Sequence, residues 1–349
     1  VSGRIAAEHG VDTGAEAAKV GPYLVAALDD PGWADCAVSL ISGGKSNLTY
    51  LVSGAPGQLV LRRPPLGHVL PTAHDMLREA RVMGALGPTP VPVPAVLAVC
   101  TDTAVLGAPF YVMNRVDGLV CRDSFPPGYA DEPAERARIG AALVRTLADL
   151  HAVDQDAVGL GDFGRPEGYL ARQVRRWSAQ WEATKTDPVP ALDELAARLS
   201  ARLPASGPPT IVHGDFRLDN TMLDPGDPGR VVAVLDWELS TLGDPLADLG
   251  LMLVYWAEPG EEDRPKAVAS LTHLEGFPLR AEVAHRYAEL TGRSVDPLPW
   301  YVAFGCFKLA VVVQGISARV AGGAMLGPGF DDDEGLVDHL VERGHAALG

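Results

Sequence analysis

The stretch Ile211-Val212-His213-Gly214-Asp215-Phe216-Arg217-Leu218-Asp219-Asn220, continued by Val234-Leu235-Asp236-Trp237-Glu238 and Gly243-Asp244-Pro245-Leu246-Ala247-Asp248-Leu249, decides how the chain reads. Thr221–Asp224 and Arg230–Asp236 are aliphatic and β-branched runs on either side of Pro225-Gly226-Asp227-Pro228-Gly229, which is turn chemistry, so together they predict a hairpin. The turn lies midway between Asn220 and Asp236, so antiparallel pairing would return both to one end, roughly 5 Å apart. Asp215 follows the apolar run Thr210-Ile211-Val212 and is expected on an irregular loop at the same end. An amide oxygen and two carboxylates converging in this way suit Mg²⁺ and phosphate, because Mg²⁺ takes few protein ligands and leaves the rest to phosphate and water.

His213-Gly214-Asp215, four residues and then Asn220 resemble the catalytic loop of the aminoglycoside phosphotransferase family. The same residues are similar to the His-Arg-Asp…Asn loop of protein kinases, whose Asp accepts the hydroxyl proton and whose Asn holds a metal. Asp236 matches the metal-binding Asp of the kinase Asp-Phe-Gly motif, although Trp237-Glu238 stands in place of Phe-Gly. Without that pair, and with no Ala-Pro-Glu downstream, a protein kinase with a switchable activation loop is not expected. Asp244 and Asp248 resemble acids that brace the catalytic loop, and Glu238 faces either the metal or the acceptor.

Outward from this centre, 349 residues suggest about two domains. The formal charge of −16 argues against non-specific binding to nucleic acid or anionic membranes, which needs clustered Lys and Arg. Cys36, Cys100, Cys121 and Cys306 form no Cys-x-x-Cys, so neither a zinc site nor a disulfide framework is indicated. Reduced thiols and a cytoplasmic protein are expected. The longest uninterrupted apolar runs, such as Leu309–Val313, are too short to span a bilayer.

Upstream, apolar spacing predicts a helix over Ala15–Leu28, stopped by Asp29-Asp30-Pro31-Gly32. Two strands follow within Val38–Val52, around Ser42-Gly43-Gly44-Lys45-Ser46-Asn47, and a third at Gln58–Arg62. A Walker A reading of Gly44-Lys45-Ser46 fails because Ser39 stands where that motif needs Gly. The turn needs no function by itself. The kinase-like resemblance makes Gly43 and Gly44 the nucleotide loop, its backbone N–H groups covering phosphates. It also places Arg62 at the position of the nucleotide-binding Lys, with Glu79, on a helix expected over Pro71–Leu86, as its ion-pair partner. Arg63 would point to the opposite, solvated face. Val93–Cys100 and Phe110–Arg115 complete the strands, and the resemblance makes the backbone at Asn114 and Val116 an adenine-binding hinge.

Beyond Gly118 the pattern is helical: Pro133–Val153, Tyr169–Trp181, Leu192–Leu203, Pro245–Trp256, Leu279–Thr291 and Trp300–Arg319. His151 falls on the apolar stripe of the first of these, and the family resemblance implies that it is a buried, hydrogen-bonded structural residue. Arg172, Arg175 and Arg176 read as a solvated basic face. Lys308 and Gln314 sit in the apolar last helix, either snorkelling or lining the acceptor pocket.

The expected fold is therefore α+β, bilobal and protein-kinase-like, with residues 1–116 as a small antiparallel-sheet lobe carrying the N-terminal helix, and residues 117–349 as a mainly helical lobe. The resemblance implies ATP- and Mg²⁺-dependent phosphorylation of a small-molecule hydroxyl. Asp215 would be the base, Arg217 would neutralise the transferring phosphoryl, Asn220 and Asp236 would hold Mg²⁺, and Arg62 would contact the α/β-phosphates. The competing reading is a nucleotide-binding pseudokinase module without turnover. Val60-Leu61-Arg62-Arg63-Pro64-Pro65, Ala73-His74-Asp75-Met76-Leu77-Arg78-Glu79 and the run from Leu235-Asp236-Trp237-Glu238 to Gly243-Asp244-Pro245-Leu246 look nearest to the branch that in some proteins is fused to an acyl-CoA dehydrogenase. That likeness implies a hydroxyacyl or related metabolite as acceptor, by analogy alone.

Overall fold

The computed structural model describes residues 14–43, 47–66, 75–185, 188–261, 264–265, 268, 270–321 and 335–349. The chain divides into two compact units, residues 1–118 with 232–238, and residues 119–231 with 239–349. The boundary expected after Val116 thus falls after Gly118, and a short downstream segment returns to the first unit. That segment is tied in locally: the Val234 N–H donates to the Pro92 carbonyl at 2.8 Å.

In the first unit, α1 (Ala17–Leu28) precedes β1 (Ala37–Gly43), β2 (Leu48–Gly54), β3 (Gly57–Arg63), α2 (Met76–Leu86), β4 (Val96–Cys100), a one-turn helix α3 (Thr103–Leu106) and β5 (Phe110–Asn114). The strands form one antiparallel sheet in the order β1-β2-β3-β5-β4. Helix α2 is capped by Asp75, which accepts from the Leu77 and Arg78 N–H groups at 3.1 and 3.0 Å; residues 71–74, the start of the expected helix, lie outside the described residues. Leu59, Leu61, Tyr50, Val52, Phe110 and Val112 pack on one sheet face with Val20 and Leu24 of α1 and with Trp33.

That packing overturns the expectation for Arg63. Alternation sends it to the same face as Leu61, and this face is covered by α1 and not by water, so Arg63 is 5% exposed. Its guanidinium donates to the Leu106 carbonyl at 2.9 Å, to the Pro64 carbonyl at 3.2 Å and to the Gly14 carbonyl. A buried cation is tolerable there because carbonyl dipoles replace its hydration.

The second unit is helical, with α4 (Pro133–Ala152), α5 (Tyr169–Thr184) and α6 (Pro190–Ala201) ahead of β6 (Thr210–Val212) and the hairpin β7 (Thr221–Asp224) and β8 (Asp227–Val234), whose last residues belong to the first unit. The hairpin turn is tighter than expected, Pro225-Gly226 alone, because Asp224 Oδ1 accepts from the Gly226 and Asp227 N–H groups at 2.7 and 3.1 Å. After it come β9 (Thr241–Gly243), α7 (Pro245–Tyr255), α8 (Arg280–Thr291), α9 (Leu298–Ala321) and α10 (Leu336–Leu348).

Strand β9 is too short to show a period, yet it pairs antiparallel with β6, Thr210 opposite Gly243 and Val212 opposite Thr241. The pairing brings the start of the His213–Asp215 loop beside the start of α7, which Asp244 caps with Pro245 in its first turn. Contrary to the count of uninterrupted apolar residues, α9 contains a stretch, Leu298–Ile316, long and apolar enough by composition to cross a membrane. It is 67% buried inside the protein, packed against α5, α6, α7 and α10. An all-round apolar helix of this kind is what a core position demands.

Candidate active site

The first unit gathers the residues expected to face the nucleotide phosphates. Arg62 lies on β3 opposite Tyr111 of β5. Its Nε is 3.3 Å from Glu79 Oε2 and its Nη2 is 3.0 Å from Asp236 Oδ1. Glu79 is 1% exposed. It also accepts from the Tyr111 hydroxyl at 2.9 Å and from Asn47 Nδ2 at 2.9 Å. Burial pushes its carboxyl above the usual range, against the pull of the Arg62 charge and these hydrogen bonds. Asn47 additionally lies 3.4 Å from Glu238 Oε2.

Asp236 sits at φ 67°, left-handed backbone that Asp tolerates better than most residues. The conformation turns the chain sharply as it leaves β8, and the carboxylate keeps 36% side-chain exposure beside Arg62. Although Arg62 Nε is buried 3.3 Å from Glu79 Oε2, its N–H makes no aligned hydrogen bond among the described residues. Gly43 closes the β1–β2 register opposite Leu48; Gly44 lies outside the described residues. At the expected hinge the Asn114 N–H is already given to the Ala95 carbonyl at 3.0 Å, and its side-chain oxygen accepts from the Ala95 N–H at 2.6 Å. The N–H of Asn114 is thereby withdrawn from any adenine contact, which leaves its carbonyl and the backbone at Val116.

An ion pair this well shielded should be coupled. In a denaturant double-mutant cycle, Arg62→Ala and Glu79→Ala are expected to be non-additive, with an interaction of about 0.5–3 kcal/mol. Strictly additive losses would show that the pair does not act together.

The second unit holds the expected base, Asp215, and its neighbours. Asn220 Nδ2 donates to both the carbonyl and Oδ2 of Asp215, at 2.8 and 2.9 Å. Committing the amide nitrogen leaves its oxygen as the remaining donor atom toward a cation. Arg217 Nε is 3.9 Å from Asp215 Oδ2, its Nη2 is 3.5 Å from Asp219 Oδ2, and its guanidinium stacks 4.4 Å over the Tyr255 ring. Burial raises the Asp219 carboxyl above its ordinary range, with Arg217 and Arg122 opposing. Burial also raises the Tyr255 phenol, and the Asp215 charge pushes it the same way.

The loop is anchored from beneath. Asp248 accepts from the His213 N–H at 2.6 Å and the Gly214 N–H at 2.8 Å. His151 links it onward, Nε2 to Asp248 at 3.3 Å and Nδ1 to the Tyr287 hydroxyl at 2.7 Å, the buried structural role that the sequence suggested. Asp244 accepts from the Tyr301 hydroxyl at 2.8 Å while capping α7. Gly214 has φ 87°, and a Cβ there would stand 2.7 Å from Leu239 Cβ, so only glycine fits the turn into Asp215.

Of the two expected metal ligands, Asp236 belongs to the first unit and Asn220 to the second. Both offer hard oxygens, the donor type Mg²⁺ selects. Among the described residues no group of three His, Cys, Asp or Glu is arranged to hold a metal. Sequence reasoning missed Asn47, Tyr111, Tyr255 and Lys308 as neighbours of these residues. None carries a local signal, since each arrives from an element distant along the chain.

A model of the phosphotransferase enzyme family matches residues 37–289, and the chain belongs to that family. Its architecture is the kinase-like α+β fold of the aminoglycoside phosphotransferases. In particular, it is similar to the crystal structure of a candidate aminoglycoside phosphotransferase from Ralstonia eutropha, with a TM-score of 0.81 and 36% identity over 95% of this chain and 98% of that one. A thermostable mutant of the aminoglycoside phosphotransferase APH(4)-Ia, in a ternary complex with ADP and hygromycin B, shares the fold with a TM-score of 0.60 at 17% identity, over 95% of this chain and 98% of that one. Acyl-CoA dehydrogenase family member 10 from Mus musculus is 40% identical over 279 residues, 79% of this chain and 26% of that protein. The chain therefore spans about a quarter of the length of this relative.

Proposed function

We propose that the chain transfers the γ-phosphoryl group of ATP, with Mg²⁺, to a hydroxyl of a small molecule. The observation that carries this reading is the Asp215–Asn220 pair: one amide nitrogen holds the carboxylate and backbone of Asp215, so the same contact orients a base and turns an amide oxygen outward as a cation ligand. Asp215 accepts the acceptor's hydroxyl proton and aims the resulting nucleophile. Arg217, 24% exposed in its side chain, is held by Asp215, Asp219 and Tyr255 where it can offset charge on the transferring phosphoryl. Asn220 and Asp236 are the Mg²⁺ ligands of this reading, and the cation, when bound, neutralises phosphate charge. Arg62, Glu79, Gly43 and Gly44 serve the nucleotide phosphates in this reading, and Val116 the adenine.

An acceptor of hydroxyacyl type is supported by the likeness to acyl-CoA dehydrogenase family member 10. The four free, buried cysteines suit a reducing, cytoplasmic setting. The acceptor is tested by thermal shift with Mg-ATP and a panel of hydroxy metabolites, since a ligand that binds only the folded protein raises its apparent stability.

Nucleotide binding is expected to need the divalent cation. Asp236 and Glu79 place carboxylates near the phosphate-side Arg62, and ATP phosphates alone would be repelled by them. Calorimetric titration of ATP with Mg²⁺ and with excess chelator measures this. Equal affinity in the two conditions would remove Asn220 and Asp236 from the metal-binding role.

A further inference from the structure

Lys308 lies in the middle of α9 among Phe304, Phe307, Leu309 and Val311, a run whose neighbours are buried. An ammonium there gives up hydration that an apolar residue would not have to lose. Its compensation is specific. Nζ donates to the Gly214 carbonyl at 2.7 Å and stands 5.6 Å over the Trp177 ring. Burial pulls the ammonium below its usual range, and the carboxylates of Asp215 and Asp248 oppose that pull while Arg176 adds to it.

Gly214 is thus gripped at both ends of the residue, its N–H by Asp248 at 2.8 Å and its carbonyl by Lys308 at 2.7 Å. That carbonyl belongs to the peptide whose nitrogen is the Asp215 N–H, itself 3.2 Å from His213 Nδ1. Since Gly214 occupies left-handed backbone, where glycine has more freedom than other residues, the peptide plane would swing without a contact on each side. Swinging it would carry Asp215 with it.

We infer that Lys308 is a positioning residue for Asp215, acting through the Gly214 carbonyl. The orientation of the loop does not depend on the phosphotransfer reading; its effect on turnover does. In the full chain, Lys308→Met keeps an unbranched stem and removes the donor. Hydrogen exchange of the 213–216 amides is expected to accelerate about tenfold or more in this variant, with α4 and α8 unchanged, because the opening is local. Mg-ATP hydrolysis should lose about tenfold in kcat with KM within about twofold, the split expected when orientation and not binding is lost. Lys308→Arg, which can donate to the same carbonyl, should recover most of the protection.

Unchanged exchange at 213–216 in folded Lys308→Met overturns the inference. So does an acceleration spread evenly over α7, α9 and the loop, which would mean that the residue only packs the core. Should Lys308→Met not fold, Lys308→Gln makes the same comparison by removing the charge and shortening the reach. A wild-type protein that hydrolyses no ATP tells against the phosphotransfer reading, while the exchange comparison still decides the role of Lys308.

Discussion

Asp215→Asn is expected to lower phosphoryl transfer by about 10²–10⁴-fold while Mg-ATP affinity stays within a few fold. The substitution keeps the size of the side chain and removes its basic oxygen. Asn220 Nδ2 donates to Asp215 Oδ2, so the introduced amide must turn its own oxygen toward Asn220 to preserve that bond. Its NH₂ then stands where the proton-accepting oxygen stood. Arg217, 3.9 Å from the carboxylate, also loses a counter-charge. A loss of about two orders of magnitude corresponds to roughly 3 kcal/mol of transition-state stabilisation. Transfer to the true acceptor and equilibrium binding of Mg-ATP are measured separately. Equal transfer by the two proteins would remove Asp215 from the role of base. If wild type binds Mg-ATP but transfers to no acceptor, the module without turnover becomes the better reading.

The second large effect is on stability. Asp248 is 1% exposed and satisfies the His213 and Gly214 N–H groups as well as His151. Asp248→Asn replaces one acceptor oxygen by a donor that faces another donor, and a broken buried charge network of this kind costs about 3–5 kcal/mol. Denaturant titration at neutral pH reads it. Burial by itself would raise this carboxyl, but the hydrogen bonds it accepts from His151 and Gly214 outweigh it and hold the group below its ordinary 3.8. A depressed folded value means that stabilisation is complete above the unfolded value and is lost as pH falls through the folded one. The gap between wild type and Asp248→Asn should therefore be constant near neutrality and close in acid below pH 3.8. A loss under about 1 kcal/mol, or a gap indifferent to acid, would contradict the anchoring role.

By itself the sequence determined whatever depends on near neighbours along the chain. The offset between Asp215 and Asn220 lets a single loop fold one side chain onto the other, and the Pro225-Gly226 turn between aliphatic runs forces a hairpin whatever surrounds it. Helices such as α4 and α8 show their apolar period plainly, and that period places His151 on the buried face of α4.

Only the tertiary structure decided the rest. Arg63 looked solvated because alternation assigns a face and does not say what covers it; α1, far upstream, does. Strand β9 is three residues long and exists only because β6 offers it a partner. Residues 232–238 join the first unit through a backbone bond to Pro92, a contact that no local pattern encodes. Asn47, Tyr111, Tyr255 and Lys308 reach their partners from distant segments. A polar side chain buried by long-range packing must find its partner in whatever that packing brings near, and the identity of that partner is a property of the fold.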